Sequence, residues 1–437
     1  MTQVAHAMRA TAREIFLHAV AESSVEKAFT RNLGYEGGVL RVCDDLYPLS
    51  SYSRVLAVSI GKAGHQMAEI LSRMVGTTVH GIIADPNPHD YQLPGYRYFA
   101  GGHPHPNAES FRAAESILKS LAALNSASLV LFLVSGGGSA VVEKPADPEV
   151  SLEDLVATYR TLVHSGAPIA QINAVRKHLS AVKGGRMAQA AQSAQQVSIL
   201  VSDVPENALD SLASGPTMPD SSTIKDCYRI VAEHRMLANF PDSVRQLFES
   251  HSLEETPKAG DPAFARSRWW KVLSSETAEK AAAAAAAAQG FAVEIDDACD
   301  DWDYAKAADY LLDRLRRLRQ GVSKACVISA GEVTVKVGAG AGTGGRNQHF
   351  ALYCAEKIAG ENIAVLSAGT DGIDGNSPAA GAVVDGTTSE RARAEGMNLS
   401  ESLLGFNAFP LLEKLGDTIH TGPTGTNVRD VRILMGY

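Results

Sequence analysis

Cysteine is scarce in this chain and carries no pattern. Its five copies (Cys43, Cys227, Cys299, Cys326 and Cys354) are scattered over 437 residues. An odd number with no CxxC or Cys/His spacing offers neither a disulfide framework nor a zinc site, and the simplest reading is a reduced, cytoplasmic protein. Long apolar runs are missing too. No window approaches the about 18 uninterrupted apolar residues of a membrane-spanning helix, so no membrane association is expected. The opening MTQVAHAMRATAREIF has no long apolar core and no cleavage pattern, and no signal peptide is expected from it. Positive charge is in deficit, with a formal net charge of −9. That argues against general nucleic-acid binding, which needs a basic face, but leaves room for a local basic pocket around an anionic substrate. There is no G-x-S-x-G elbow, no reactive-cysteine setting and no Walker A spacing.

What is present is ordinary globular material, 45% hydrophobic and 20% charged, long enough for two or three domains. The stretch around which the rest is organised is Leu129–Ala140, LVLFLVSGGGSA. Six consecutive apolar residues suit a strand buried on both faces of a parallel sheet. They run into Ser135, Gly136, Gly137, Gly138 and Ser139, whose small side chains leave backbone N–H groups bare. A loop of that kind at the carboxyl end of a strand is either an anion site or a plain tight turn. A second strand, Arg54–Ile60, ends in Gly61-Lys62-Ala63-Gly64 before a helix. Lys62 there is either a solvated turn lysine or a ligand-end cation. A third, Val197–Val201, delivers Asp203, placed for metal binding or base work, and then an irregular polar loop containing Asp210 and Ser214-Gly215-Pro216-Thr217.

Other features complete the α/β pattern. Strands are expected at His80–Asp85, Phe291–Ile295, Ala325–Ser329, Glu332–Val337, Ile363–Ser367 and Val431–Leu434, and helices over 5–32, 110–124, 224–250, 281–288 and 304–320. His103 and His105 lie in a Gly/Pro loop and read as hydrogen-bonded loop residues more readily than as metal ligands. Arg176, Lys177, Lys183 and Arg186 surround the Gly184-Gly185 turn, lining either an anionic pocket or an exposed helix face. The polar stretch 251–262 reads as a linker. Gly338–Gln348 contains a literal G-x-G-x-x-G at Gly340, Gly342 and Gly345, with Glu361 at about the distance of a ribose-binding acid, so a dinucleotide site is an alternative there. The run ends in Arg346, which at a helix start suits a carboxylate or phosphate. Asp371 and Asp374, in a D-G-I-D-G-N loop, are candidates for Mg²⁺ or hydroxyl contacts. Glycine loops, lone cations and strand-end aspartates together suit phosphoryl transfer, which needs positioning and charge neutralisation more than covalent chemistry.

The segments SIGKAG, VSGGGSA, INAVRKHLSAVKGGRMA, SDVPENALDSLASGPT, GGRNQ, SAGTDGIDGNSPAAGAVVD and HTGPTGTNVRD, in that order, resemble the glycerate 2-kinases of the MOFRL type. The resemblance runs from near residue 10 to the C-terminus. It implies a Rossmann-like N-terminal domain (1–250) with a mostly parallel sheet, and a smaller α/β C-terminal domain (263–437) whose MOFRL region spans about 324–434, with the active-site cleft between them. It implies ATP- and Mg²⁺-dependent phosphorylation of D-glycerate to 2-phosphoglycerate by a monomer or homodimer. Carried over residue by residue, Lys62, Asp203 and Arg346 are catalytic. Lys62, Arg346, Asn347 and Asp371 meet the substrate. Asp203 orients or deprotonates the acceptor hydroxyl, and the metal falls to Asp203 or Asp371. Ser135–Ser139, Lys183, Gly184, Gly185, Arg186 and Ser214–Thr217 hold the nucleotide. Some members of the family carry the label hydroxypyruvate reductase, so an NAD(P)H-dependent reductase is the alternative; a nucleotide-binding regulator without turnover is a third reading. Two departures from the family pattern, Ala330 in place of glycine and His349 in place of glutamate, bear on acceptor detail more than on reaction type.

Overall fold

The structure is a computed structural model and describes residues 2–87, 89–338 and 340–437. The chain divides into two compact units. Phe29–Val272 forms a middle unit. The chain's two ends, residues up to Ala28 and Leu273–Tyr437, form a terminal unit.

The middle unit is built on a six-stranded sheet. Its strands are Arg54–Ile60, His80–Asp85, Tyr96–Ala100, Ser128–Ser135, Gln195–Val201 and Ser267–Leu273. In space, Arg54–Ile60 lies second to Ser128–Ser135, with Gln195–Val201 beyond the latter and His80–Asp85 and then Tyr96–Ala100 on the other side. These five pair in parallel. Every residue of Ser128–Ser135 is buried, as a continuous apolar run in a doubly covered strand requires. Each of the side chains from Leu129 to Val134 is fully shielded, which stabilises the fold by about 1.5–3 kcal/mol apiece. The three central strands therefore end together, at their carboxyl ends, with Gly61-Lys62, Gly136-Gly137 and Asp203. A separate antiparallel sheet of Leu33–Glu36, Val39–Val42 and Asp45–Pro48 precedes them. Its first turn is Gly37-Gly38, both at positive φ (59° and 82°), as a two-residue hairpin of this hand demands.

The terminal unit holds a mixed six-stranded sheet. Asp430–Gly436 runs between Ala325–Ala330 and Ile363–Gly369, antiparallel to both, and Gly381–Asp385 continues the sheet antiparallel to Ile363–Gly369. Thus the α/β class and the mostly parallel sheet of the Rossmann-like half are as expected, and the second sheet is mixed.

Three expectations give way. The contacts do not divide at the expected 250–263: the helix Thr2–Glu22 joins the terminal unit, and the strand Ser267–Leu273 pairs into the sheet of the middle one. The helix buries Met8, Ala12, Ile15 and Phe16, and Arg9 forms ion pairs with Asp385 and Asp417, both fully buried. The expected linker 251–262 is packed in place. Glu255 accepts from His178 Nε2 at 2.8 Å and Thr256 Oγ1 donates to the buried Asp220 at 2.8 Å. Despite partial burial, hydrogen bonds from Lys258, His178 and the Ile224 N–H hold the Glu255 carboxyl down at about 2. Finally, Glu332–Val337 is not a strand. It makes a single bridge, Thr334 to Asp303, because the neighbours of Ala325–Ala330 are already supplied by Ala292–Ile295 and Asp430–Gly436.

Candidate active site

In the middle unit the glycine loop is the meeting point. The Lys62 N–H donates to the Gly136 carbonyl at 2.9 Å, and the Ala63 N–H donates to Ser135 Oγ at 3.1 Å. The two strand-end turns are thereby tied to each other. The glycines are required by close approach. A β-carbon on Gly136 would lie 1.9 Å from Asp203 Oδ2. Gly137 has φ of 81°, and a β-carbon there would lie 3.0 Å from Lys62 Cγ and 3.3 Å from His103 Cδ2. Three polar side chains from three separate strand ends therefore converge on two adjacent glycines: Lys62 and His103 at Gly137, Asp203 at Gly136. Lys62 and His103 are exposed and Asp203 is half-buried. His103 is held there by its loop. The Gly102 N–H donates to Ser110 Oγ at 2.9 Å, and Asn107 Nδ2 donates to the Ala100 carbonyl at 3.1 Å. Gly101 passes so close to Val141 that a β-carbon would come within 2.2 Å of its carbonyl oxygen.

Behind the loop lies a buried polar layer, and most of the expected phosphate contacts belong to it. Lys183 is 1% exposed; its ammonium donates to the Ser139 carbonyl at 2.6 Å and forms an ion pair with the fully buried Glu143. Glu143 also accepts from Tyr159 Oη at 2.7 Å and Ser180 Oγ at 2.6 Å. The Gly184 and Gly185 N–H groups donate to the carbonyls of Ser214 and Gly215. Arg186 turns to Glu254, Lys177 to Asp210 and Asp220, and Arg176 stacks over the Tyr159 ring. The four cations thus form neither an open anion pocket nor an exposed face; each is engaged by the protein itself. Ser214 touches the loop directly, its hydroxyl 2.7 Å from Ser139 Oγ, with Ala213, Ser214 and Gly215 all at positive φ. Thr217 accepts from Ser198 Oγ, and the Pro216 carbonyl accepts from the Met187 N–H. These residues shape the loop from beneath.

In the terminal unit, Arg346 opens the helix Arg346–Lys357 and lines a pocket of about 550 Å³ with Gly342, Gly344, Gly345, His349, Asp371 and Asn376. Its guanidinium is clasped by Asp430, at 2.5 and 3.1 Å, and by Glu332 at 2.7 Å. Asp371 accepts from the Ile373 N–H at 3.1 Å and faces the pocket. Asn347 does not. It is 1% exposed and bonds inward to Ser367 Oγ at 2.6 Å and Asp374 at 3.3 Å. Asp374 is likewise engaged in structure. It takes the Asn347 and Gln348 N–H groups at 3.1 and 2.8 Å, and so caps the helix that carries Arg346. Burial pushes its carboxyl up to about 6 against the pull of those bonds. Asp374→Asn would turn an amide NH₂ toward N–H donors. We expect a stability loss of about 1–3 kcal/mol, read by urea unfolding, since a buried donor then lacks an acceptor. An unchanged unfolding midpoint would contradict the cap.

This cap also bears on the G-x-G-x-x-G. A dinucleotide pyrophosphate needs the free N–H groups of that helix start, and a carboxylate already fills the place. The Gly342 N–H donates to the Gly405 carbonyl and the Gly344 N–H to Asn376 Oδ1. Glu361, at the ribose-acid spacing, pairs with Arg316 at 2.6 Å. Ala339, inside the run, lies outside the described residues. Of the two departures, Ala330 is buried with its N–H on Asp297, and the His349 ring stacks on Phe406 at 4.4 Å. Burial holds the His349 imidazole down at about 4.

Among the described residues, no group of three or more acidic, histidine or cysteine side chains is placed to hold a metal, and no helix is long and apolar enough to cross a membrane. Sequence reasoning missed Asp430 and Glu332 as the partners of Arg346, and left His103 as a loop residue. Asp430 lies 84 residues from Arg346 along the chain, and neither partner has a local signature.

Residues 11–249 match the profile of a domain of unknown function, DUF4147, and residues 325–430 match the MOFRL family. The D-glycerate 2-kinase of Thermotoga maritima is 34% identical over 400 residues, covering 90% of this chain and 93% of that one. A protein of Agrobacterium vitis that bears the name hydroxypyruvate reductase is 34% identical over 442 residues, covering 98% and 94%. The crystal structure of Thermotoga maritima glycerate kinase superposes with a TM-score of 0.86 at 31% identity, covering 99% of this chain and all of that one. The chain therefore belongs to the MOFRL-type glycerate 2-kinase family.

Proposed function

We propose that this protein is a kinase that transfers the γ-phosphoryl group of ATP, with Mg²⁺, to the 2-hydroxyl of D-glycerate, giving 2-phospho-D-glycerate and ADP. The observation that carries the reading is the convergence of Lys62 and Asp203 on the glycines of a strand-end loop, in a chain related to D-glycerate 2-kinases. The loop fits phosphate oxygens for a physical reason: β-carbons on Gly136 and Gly137 would fill the space beside these side chains. Magnesium-bound ATP, when present, supplies the phosphoryl group and a divalent charge. A single carboxylate such as Asp203 suits Mg²⁺, which keeps several waters and leans on substrate phosphates. Asp371, on the pocket beside Arg346, is a second candidate acid.

In this reading Lys62 neutralises charge on the moving phosphoryl group, and Asp203 orients the acceptor hydroxyl. Ser135 and Ser139 fix the loop rather than move with the substrate, since each is bonded into the fold. In the terminal unit, the Arg346 guanidinium, its plane fixed by Asp430 and Glu332, suits a carboxylate. The test is direct: incubate the protein with ATP, Mg²⁺ and D-glycerate and identify the product by ³¹P NMR. 2-Phosphoglycerate is expected. Absence of any phosphoglycerate would sink the reading, and 3-phosphoglycerate would refute only the regiochemistry.

The Agrobacterium vitis relative's name keeps a reductase as the second reading. It predicts NADH oxidation with hydroxypyruvate in the absence of ATP. The capped helix at Arg346 weighs against it.

A further inference from the structure

Resting on the kinase reading above, we propose that His103 is a catalytic residue of this site, the group that accepts the proton of the acceptor hydroxyl. The reading above leaves Asp203 as an orienting acid and assigns the proton to no one. His103 shares Gly137 with Lys62, while Asp203 sits on the neighbouring Gly136. Any acceptor placed between Lys62 and Asp203 over these two glycines therefore lies beside the imidazole. The ring is poised rather than structural. It is exposed, and among the described residues no hydrogen bond holds either ring nitrogen. The loop that carries it, in contrast, is pinned at Gly101, Gly102 and Asn107. A rigid loop presenting an unengaged imidazole to a phosphate-type glycine loop is the arrangement expected of a general base.

The surroundings set its protonation. Partial burial, and then the Lys62 ammonium, hold the His103 pKa below its ordinary 6.5. Lys62 faces it from the turn after Arg54–Ile60, Asp203 approaches from the turn after Gln195–Val201, and His105 is the titratable group on its own loop. At neutral pH the ring is therefore uncharged and has a lone pair free. In the step, the hydroxyl proton passes to an imidazole nitrogen as that oxygen's electron pair forms the bond to the γ-phosphorus. The bond from that phosphorus to the bridging oxygen breaks, and its electrons leave on ADP. The imidazolium then gives its proton to water.

The test compares wild type, His103→Gln, His103→Asn and His105→Gln across pH with ATP, Mg²⁺ and D-glycerate. Thermal melts check folding. For the wild type, kcat should fall on the acid side through a pKa below 6.5. His103→Gln and His103→Asn should each lower kcat about a hundredfold or more, change KM for either substrate little, and lose that acid limb. His105→Gln should keep rate and limb. A separate readout needs no turnover: in the ring-carbon NMR spectrum, the His103 titration should move when D-glycerate joins the enzyme with Mg²⁺ and a non-hydrolysable ATP analogue. An active wild type with normal kcat in both His103 variants, an unchanged acid limb, or an unmoved His103 titration overturns this inference alone. A wild type that makes no phosphoglycerate overturns the kinase reading and this inference with it. If both His103 variants fail to melt cooperatively, the NMR titration of the wild type decides.

Discussion

Lys183→Met should destabilise the protein by about 3–5 kcal/mol, the usual cost of stripping one partner from a buried ion pair. Lys183 and Glu143 are 1% and 0% exposed. Without the ammonium, the Glu143 carboxylate keeps its Tyr159 and Ser180 hydroxyls but loses the cation that pairs with it. The Ser139 carbonyl loses its donor in the same stroke, so the glycine loop loosens from below. Denaturant unfolding of the single variant and of Lys183→Met/Glu143→Leu separates the causes. The double variant should recover much of the loss, because no buried charge remains. A single variant as stable as wild type, or a double variant worse than the single, would contradict the role assigned to this pair. Activity should fall in proportion to the folded fraction and to the loosened loop, with KM for ATP rising.

Lys62→Ala and Arg346→Ala should each lose about 2–4 kcal/mol of transition-state stabilisation, roughly 30- to 1,000-fold in kcat/KM. The two variants should differ in stability. Lys62 is exposed, so its removal should leave the melting temperature nearly unchanged. Arg346 shields Asp430, which is 2% exposed, so its loss leaves a buried carboxylate bare and should lower stability as well. Arg346→Lys should restore charge without the two-pronged clasp, and its activity should fall between alanine and wild type. Near-normal kcat/KM in both alanine variants would reject the assigned roles.

The sequence was informative wherever chemistry is local. Continuous apolar runs ending in glycine marked Arg54–Ile60 and Ser128–Ser135. The hairpin at Gly37-Gly38 had a readable signal, two glycines between short β-favouring runs, that went unused. What stayed hidden depends on distance along the chain. Nothing near Lys183 says that its charge is spent on Glu143, and nothing near Arg346 points to Asp430. A lone cation beside Gly-Gly looks the same whether it faces ligand or core, because composition carries no direction. The convergence of His103 on Gly137 needs the order of strands in the sheet, which periodicity alone does not supply.

The helix Thr2–Glu22 has a consequence for synthesis. It is made well before its partners, the helix Ser275–Ala288 and the strand Ile363–Gly369. At translation rates of about 5–20 residues per second, its apolar stripe waits on the order of tens of seconds for a surface to cover it. The middle unit has all its strands in hand by then and is free to fold during that wait. Folding during synthesis is therefore nested in sequence: the middle unit is complete before the terminal unit has all its parts. Removing the helix Thr2–Glu22 would uncover the same sheet in whose interior Asp430–Gly436 runs.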